Sequence, residues 1–404
     1  MFFLLKLLVP FIVSTNQENS LKNSLLENYY PDALPVNNNS IEMKIGIAIK
    51  SLTDINQIEG TIQSNIWLRL WWEDTNLKWD KDKWNISKLS FYTNPELDRS
   101  IWIPDIYLYN TAEKPLENLD YTSAMVYNDG SVIWSRPGVM TSTCVFDLTY
   151  FPYDQQVCEF KFGSWVYHSG QLNVSVHKTS LDLSNYQINQ EWKIISHVSY
   201  IEEKKYNCCP EKFQSAVFIL TLRRKPGYYI LNIILPTFAT ATLMIISLLV
   251  PWDSGERISF SVTVMLSIIV FLLILSESLP KTNTKPLLSK MLIGLVFFSL
   301  FVVFFTVIIG MMHSHTKKNS KTAKLILDFL NKFNIRCNKK KKVINRNNSY
   351  LESINEVNNT ITTHNEDEKD CDKLASKIEK LFTIIFFIGF VIYSSVVFSE
   401  IPTY

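Results

Sequence analysis

Gly255–Pro280 reads GERISFSVTVMLSIIVFLLILSESLP, and the fold turns on what this stretch is. Its middle, Ile258–Ser276, is 19 residues without a charge, close to the roughly 20 that an α-helix needs to cross a hydrocarbon core. The run opens on Glu256-Arg257 and closes on Glu277. Ser259, Thr263, Leu266, Val270, Leu273 and Glu277 recur at steps of three or four, so they share one helical face. Hydroxyls toward one end, bulky apolar residues in the middle and carboxylates at both mouths suit a helix beside a water-filled path. The plainer reading is a membrane helix whose hydroxyls bond to their own backbone or to a neighbouring helix.

Working outward, three more apolar runs are long enough to span: Tyr228–Val250, Met291–Met312 and Leu381–Ser399. The class is therefore a polytopic membrane protein, with spans near 228–250, 256–277 and 288–312 inside residues 227–315, and a fourth in 381–404 ending in an outer tail. With 404 residues, a net charge of +2 and 19% charged residues, the composition excludes a nucleic-acid partner. The six histidines form no HExxH and no Gly-rich phosphate loop is present, so the chain reads as no enzyme, with no cofactor and no metal. There are no internal repeats.

The opening MFFLLKLLVPFIVS is a short apolar segment before a polar run, which reads as a signal peptide over residues 1–16; an uncleaved anchor is the alternative. Export then places residues 17–226 outside the cell. Residues 316–380, Lys- and Asn-rich with the Lys339–Lys342 block, read as a cytoplasmic loop with an amphipathic helix near its end. Arg223-Arg224-Lys225 opposes the positive-inside tendency, which a whole exported domain overrides.

The outer segment reads as β-structure. In Asn65–Trp72, Ile66, Leu68 and Leu70 alternate with Trp67, Arg69 and Trp71, and Ala216–Leu222 is another strand. Turn signals fall at Asn94-Pro95, Asn128-Asp129-Gly130, Pro137-Gly138 and Ser169-Gly170, with a helix expected around Ser20–Tyr30. Some 200 residues of short strands point to one β-sandwich. Cys144, Cys158, Cys208 and Cys209 lie in this oxidising compartment, where three pairings are open; a bridge across the 13 residues between Cys144 and Cys158 is one, and free thiols at the adjacent pair are another possibility. Sequons at Asn38, Asn85 and Asn173 are exported, whereas those at Asn347 and Asn358 are not.

Three motifs stand out together: the Cys144–Cys158 loop holding Phe151-Pro152-Tyr153-Asp154, Tyr206-Asn207-Cys208-Cys209, and DSGERIS at Asp253–Ser259. By these the chain resembles a subunit of the Cys-loop pentameric ligand-gated ion channels, most like a nicotinic acetylcholine receptor α-type subunit, over nearly its whole length except the cytoplasmic loop. The resemblance implies an α+β membrane protein: an extracellular immunoglobulin-like β-sandwich plus a four-helix transmembrane bundle, pentameric, from identical or homologous subunits. It implies disulfides Cys144–Cys158 and Cys208–Cys209, and a plasma-membrane, multi-pass, synaptic location with the N-terminus outside.

The implied agonist is acetylcholine or a related quaternary amine, held by cation–π attraction in an aromatic box. Tyr109, Trp165, Tyr206, Cys208, Cys209 and Phe213 match the principal face, and Trp67, Met125, Ile133 and Ser135 the complementary face contributed by the neighbouring subunit. Phe213 stands where Tyr is usual, and Ser215 where an Asp completes a latch with Lys161. The implied coupling residues are Arg223, Phe151, Pro152, Asp154 and Pro280, with Arg223 matching a buried arginine whose carboxylate partner is replaced by Gln57, leaving Glu59 or a bound water to compensate. Glu256, Ser259, Thr263, Leu266, Val270 and Glu277 line the implied pore, with Leu266 and Val270 as gate and Glu256 selecting monovalent cations and calcium. A channel gated by another small amine such as choline, or an accessory subunit of a heteromer, are the alternatives.

Overall fold

The structure, a computed structural model, describes residues 17–35, 40–94, 100–113, 119–281, 284–317 and 352–401. The expected signal peptide, the Asn38 sequon and loop residues 318–351, with Asn347, lie outside the described residues. The chain forms two compact units, one from residues up to Asp147 with Asp154–Lys225, the other from Leu148–Tyr153 with Pro226 onward.

The first unit opens with helix α1 over residues 17–26, which sets Leu21, 1% exposed, into the core; it begins and ends earlier than the expected segment. Among the described residues ten strands follow: β1 (Ile41–Asn56), β2 (Thr61–Glu73), β3 (Lys88–Phe91), β4 (Ile106–Leu108), β5 (Ala124–Tyr127), β6 (Ser131–Thr143), β7 (Gln155–Ser164), β8 (Leu172–Asp182), β9 (Trp192–Lys205) and β10 (Lys212–Arg224). They make a six-stranded sheet in the order β3-β5-β6-β2-β1-β8 and a four-stranded sheet in the order β4-β7-β10-β9. Only the β1–β8 pairing is parallel among the described pairs.

The alternation read in β2 is the reason the sheet packs as it does. Ile66, Leu68, Leu70 and Trp72 are buried, while Trp67, Arg69 and Trp71 face outward. The inner faces of both sheets share one core with Trp134, Phe160, Phe162, Phe218 and Leu220. At the β5–β6 turn Gly130 has φ of +86°, and a Cβ there would lie 2.6 Å from the Asp74 carbonyl oxygen, so Gly is required. Pro137-Gly138, expected to turn, instead lies within β6, with Pro137 opposite Trp67 of β2. The Pro137 carbonyl accepts from the Asp120 N–H over 2.9 Å, beside an isolated bridge between Leu119 and Gly138, so the polar groups of Pro137 face away from β2 and its missing N–H takes no bond from the β2–β6 ladder. Cys144, just after β6, bonds to Cys158 on β7 with Cα atoms 5.1 Å apart, clipping one sheet to the other; Cys208 and Cys209 also form a disulfide.

Among the described residues, the second unit has four helices long and apolar enough to cross a membrane, with candidate spans Gly227–Ser247, Arg257–Glu277, Leu287–Gly310 and Ser376–Ser399. We number them α2 (Gly227–Ser247), α3 (Arg257–Glu277), α4 (Leu287–Lys317) and α5 (Glu352–Ser399). A π-helical turn, Ile230–Ile234, precedes Pro236 in α2, where the missing N–H leaves a carbonyl of the preceding turn without its donor. The helices pack through aromatic side chains: Phe238 on Phe390, Phe298 on Phe386 and Phe305 on Phe382, the last with centroids 3.7 Å apart. The helix expected near the end of the loop and the fourth span are one continuous helix, α5, with no break at the expected boundary of 380/381. Leu148–Tyr153 packs in this unit, with the Phe151 ring 4.7 Å from that of Tyr229 and the Leu287 N–H donating to the Thr149 carbonyl over 2.9 Å.

Candidate functional site

The ends of the four-stranded sheet place the first group of side chains. Tyr109 follows β4, Trp165 follows β7, Tyr206 follows β9 and Phe213 is near the start of β10. Trp165 and Tyr109 meet edge-on with centroids 6.5 Å apart, and Tyr206 and Phe213 likewise at 5.9 Å. The Tyr109 hydroxyl donates to the Ser164 carbonyl over 2.5 Å. Its pKa is pushed up to about 12, chiefly by burial, with the nearby Tyr206 phenol and the Asp105 carboxylate adding to the rise, so it stays a neutral donor at any physiological pH. A Cβ on Gly163 would lie 2.6 Å from that hydroxyl, so glycine here makes room for the ring. Trp165 is 68% exposed: the chain leaves most of its indole uncovered.

Two further features of this group were not read from the sequence. Tyr107, on the same strand face as Tyr109, brings its ring 5.6 Å from Trp165; the i, i+2 spacing in IYLY was the available signal. Lys161 forms an ion pair with Glu202 of β9, and Glu202 is the direct cross-strand partner of Ser215. The carboxylate missing at Ser215 is thus supplied from the adjacent strand. A cleft of ≈ 540 Å³ opens on Lys205–Pro210, including the Cys208–Cys209 disulfide.

The second group lies on the outer face of the six-stranded sheet and does not join the first within the chain. Register puts Trp67 opposite Pro137, Arg69 opposite Ser135, Trp71 opposite Ile133 and Ile133 opposite Met125, so Trp67, Met125, Ile133 and Ser135 share one partly exposed stripe. Asn85 and Asn173 are exposed.

One coupling assignment is corrected. The buried arginine is Arg224, 1% exposed, not Arg223, which is only partly buried and faces the side-chain amide of Gln155. Arg224 grips Asp154 with two nitrogens at 2.8 and 3.2 Å, reaches Glu191 at 2.7 Å, and lies 4.1 Å over the Trp192 ring. The reason is strand parity: Phe218, Leu220 and Leu222 point inward along β10, and 224 continues that series. Glu59 is exposed, and the buried Gln57 Oε1 has no protein hydrogen bond, so the compensation expected from Glu59 is provided by Asp154 and Glu191 instead.

In the second unit, the α3 stripe faces away from the other helices. Ser259, Thr263, Leu266, Val270, Leu273 and Glu277 are all exposed, as is Glu256, whereas Ser261, Val264, Ile268 and Leu275 are buried on the opposite face. The Thr263 hydroxyl donates to the Ser259 carbonyl over 2.9 Å, so the plainer reading of that hydroxyl is met as well, without turning it from the stripe. Arg257 at the start of the helix is 1% exposed: it pairs with Glu379 of α5, donates to the Leu248 carbonyl and stacks 4.5 Å over Trp252. Pro280 follows the helix and is partly buried.

The neurotransmitter-gated ion-channel ligand binding domain family matches residues 18–226, and the neurotransmitter-gated ion-channel transmembrane region matches residues 233–374. Among curated relatives, the neuronal acetylcholine receptor subunit alpha-2 of Rattus norvegicus is 32% identical over 76% of this chain and 61% of its own length. The alpha-3 subunits of Bos taurus and Rattus norvegicus are 32% and 33% identical over 78% and 76% of this chain, and 63% and 62% of theirs. The chain therefore spans less than two thirds of the length of these relatives.

Proposed function

Because the chain belongs to the neurotransmitter-gated ion-channel family, we propose that it is a subunit of an acetylcholine-gated, cation-selective channel of the plasma membrane, assembled as a pentamer of identical or homologous chains. The observation that carries this reading is the open indole of Trp165 with the rings of Tyr107 and Tyr109 against it, and the Tyr206–Phe213 pair near Tyr109. A quaternary ammonium donates no hydrogen bonds and is weakly hydrated, so aromatic faces hold it better than carboxylates in water do. Trp67, Met125, Ile133 and Ser135 of the adjacent subunit complete the box, and the Cys208–Cys209 loop closes over it. Asp154 and Phe151-Pro152, on and beside the disulfide-closed loop, relay closure together with Pro280. The exposed α3 stripes line the pore; Leu266 and Val270 form apolar rings that dewet when narrow, and Glu256 rings one mouth with negative charge that favours cations, monovalent and calcium. N-glycans sit on Asn85 and Asn173, and the chain serves a synaptic membrane.

A second agonist, choline or another small amine, is favoured by one observation: Phe213 keeps the π face and lacks the hydroxyl of a tyrosine. Expression in oocytes tests both. Acetylcholine or choline evokes currents whose reversal follows sodium and potassium, and Trp165→Ala abolishes them. A reversal that tracks chloride, or currents indifferent to Trp165→Ala, overturns the proposal.

A further inference from the structure

β1 and β2 pair in regular antiparallel register as far as Ile49 opposite Ile66, and pairing resumes with Ser51 opposite Asn65. Lys50 is therefore the extra residue of a β-bulge, the device by which a strand re-aims one side chain. The bulge directs its ammonium to a point 3.6 Å from the centroid of the Trp67 ring, well inside the ~6 Å reach of a cation–π contact. Arg69 lies 5.7 Å from the same ring but is committed to Asp182 at 3.0 Å. The two exposed tryptophans of the sandwich thus differ: Trp165 is flanked by tyrosines, and Trp67 already carries a cation.

We propose that Lys50 is a specificity-determining residue, a tethered ammonium that competes with the agonist for the ring of Trp67. It rests on the reading that Trp67 completes the box of an adjacent subunit. An entering quaternary ammonium has to displace the lysine from the ring and meets its like charge on approach. Boxes formed between copies of this chain are therefore weak, and a homologous chain without a cation above this tryptophan makes the stronger complementary face.

Equilibrium binding of radiolabelled acetylcholine to membranes bearing the assembled chain tests this with three variants. Lys50→Gln, which removes the charge and keeps a polar side chain, binds about tenfold tighter than the unmodified chain, and Lys50→Arg, which keeps the charge, binds as the unmodified chain does. A Lys50→Gln affinity equal to that of the unmodified chain, no binding at all to Lys50→Gln, or an equal gain for Lys50→Arg each overturns the proposal. Trp165→Ala separates the two readings. If it loses binding while Lys50→Gln changes nothing, only the lysine's role falls; if it binds normally, the aromatic box falls and this inference with it.

Discussion

Each unit of this protein holds an arginine that is only 1% exposed, and these two are held in different ways. Arg224, in the sandwich, has two carboxylates, one of them gripped by two nitrogens, and an indole beneath it. Arg257, at the start of the α3 helix, has one carboxylate, a backbone carbonyl and an indole, and its Nε has no hydrogen-bond partner among the described residues. A buried guanidinium is tolerated only when desolvation is offset by well-placed acceptors. The sandwich site is the more completely satisfied, so losing its arginine strands more buried charge; the helix site is held more loosely and is the easier one to shift.

That contrast is open to direct attack. Arg224→Ala leaves Asp154 buried without a counter-charge, keeping only the Gln156 amide as donor, and is expected to cost about 3–5 kcal/mol, read as loss of the folded protein in thermal melts of the solubilised chain. Glu379→Ala removes the one carboxylate from Arg257, which keeps its carbonyl, and is expected to cost about 1–3 kcal/mol in the same melts; a loss equal to that of Arg224→Ala would erase the distinction. Arg223→Ala, on a partly exposed face, is expected to stay near about 0.5 kcal/mol, and a larger loss there than at Arg224 would reverse the assignment of the buried residue. The gentlest probe is the partly exposed Arg69–Asp182 pair. Asp182 is held down at about 2, first by the Ser184 hydroxyl and backbone N–H and then by Arg69. Its folded value lies below the unfolded one, so its contribution to stability is present above the ordinary carboxylate range and is lost as pH falls toward about 2. Ser184→Ala should raise the Asp182 midpoint, followed by carboxyl-carbon NMR, more than Arg69→Gln does.

Much of this architecture is legible in the chain, and the gaps have physical causes. The period-two pattern of Asn65–Trp72 and the stripe from Ser259 to Glu277 both point as their spacing requires, because one face of each element is buried and the other is not. Arg224 and Arg257 are in phase with the buried faces of β10 and α3: 224 follows 218, 220 and 222, and 257 precedes 261, 264 and 268. Carrying each period to its end places both arginines inside despite their charge. Pro137 misled as a turn because a lone sequence does not reveal which side of a strand a residue's missing N–H faces, and here it faces away from β2. Glu202 and Lys50 were hidden for a related reason. Each acts across strands, one through its register opposite Ser215 and the other through a bulge, and register is not written in either strand alone.

The continuity of α5 has a mechanical meaning. At 1.5 Å per residue, a helix of 48 residues is a rod of roughly 70 Å, and only its last 24 residues form the apolar segment. The other half stands clear of that segment as a lever arm, and Glu379 sits near the fulcrum, gripping the base of α3 through Arg257. A twist or tilt applied to the far end arrives at that grip with no break in the helix to absorb it.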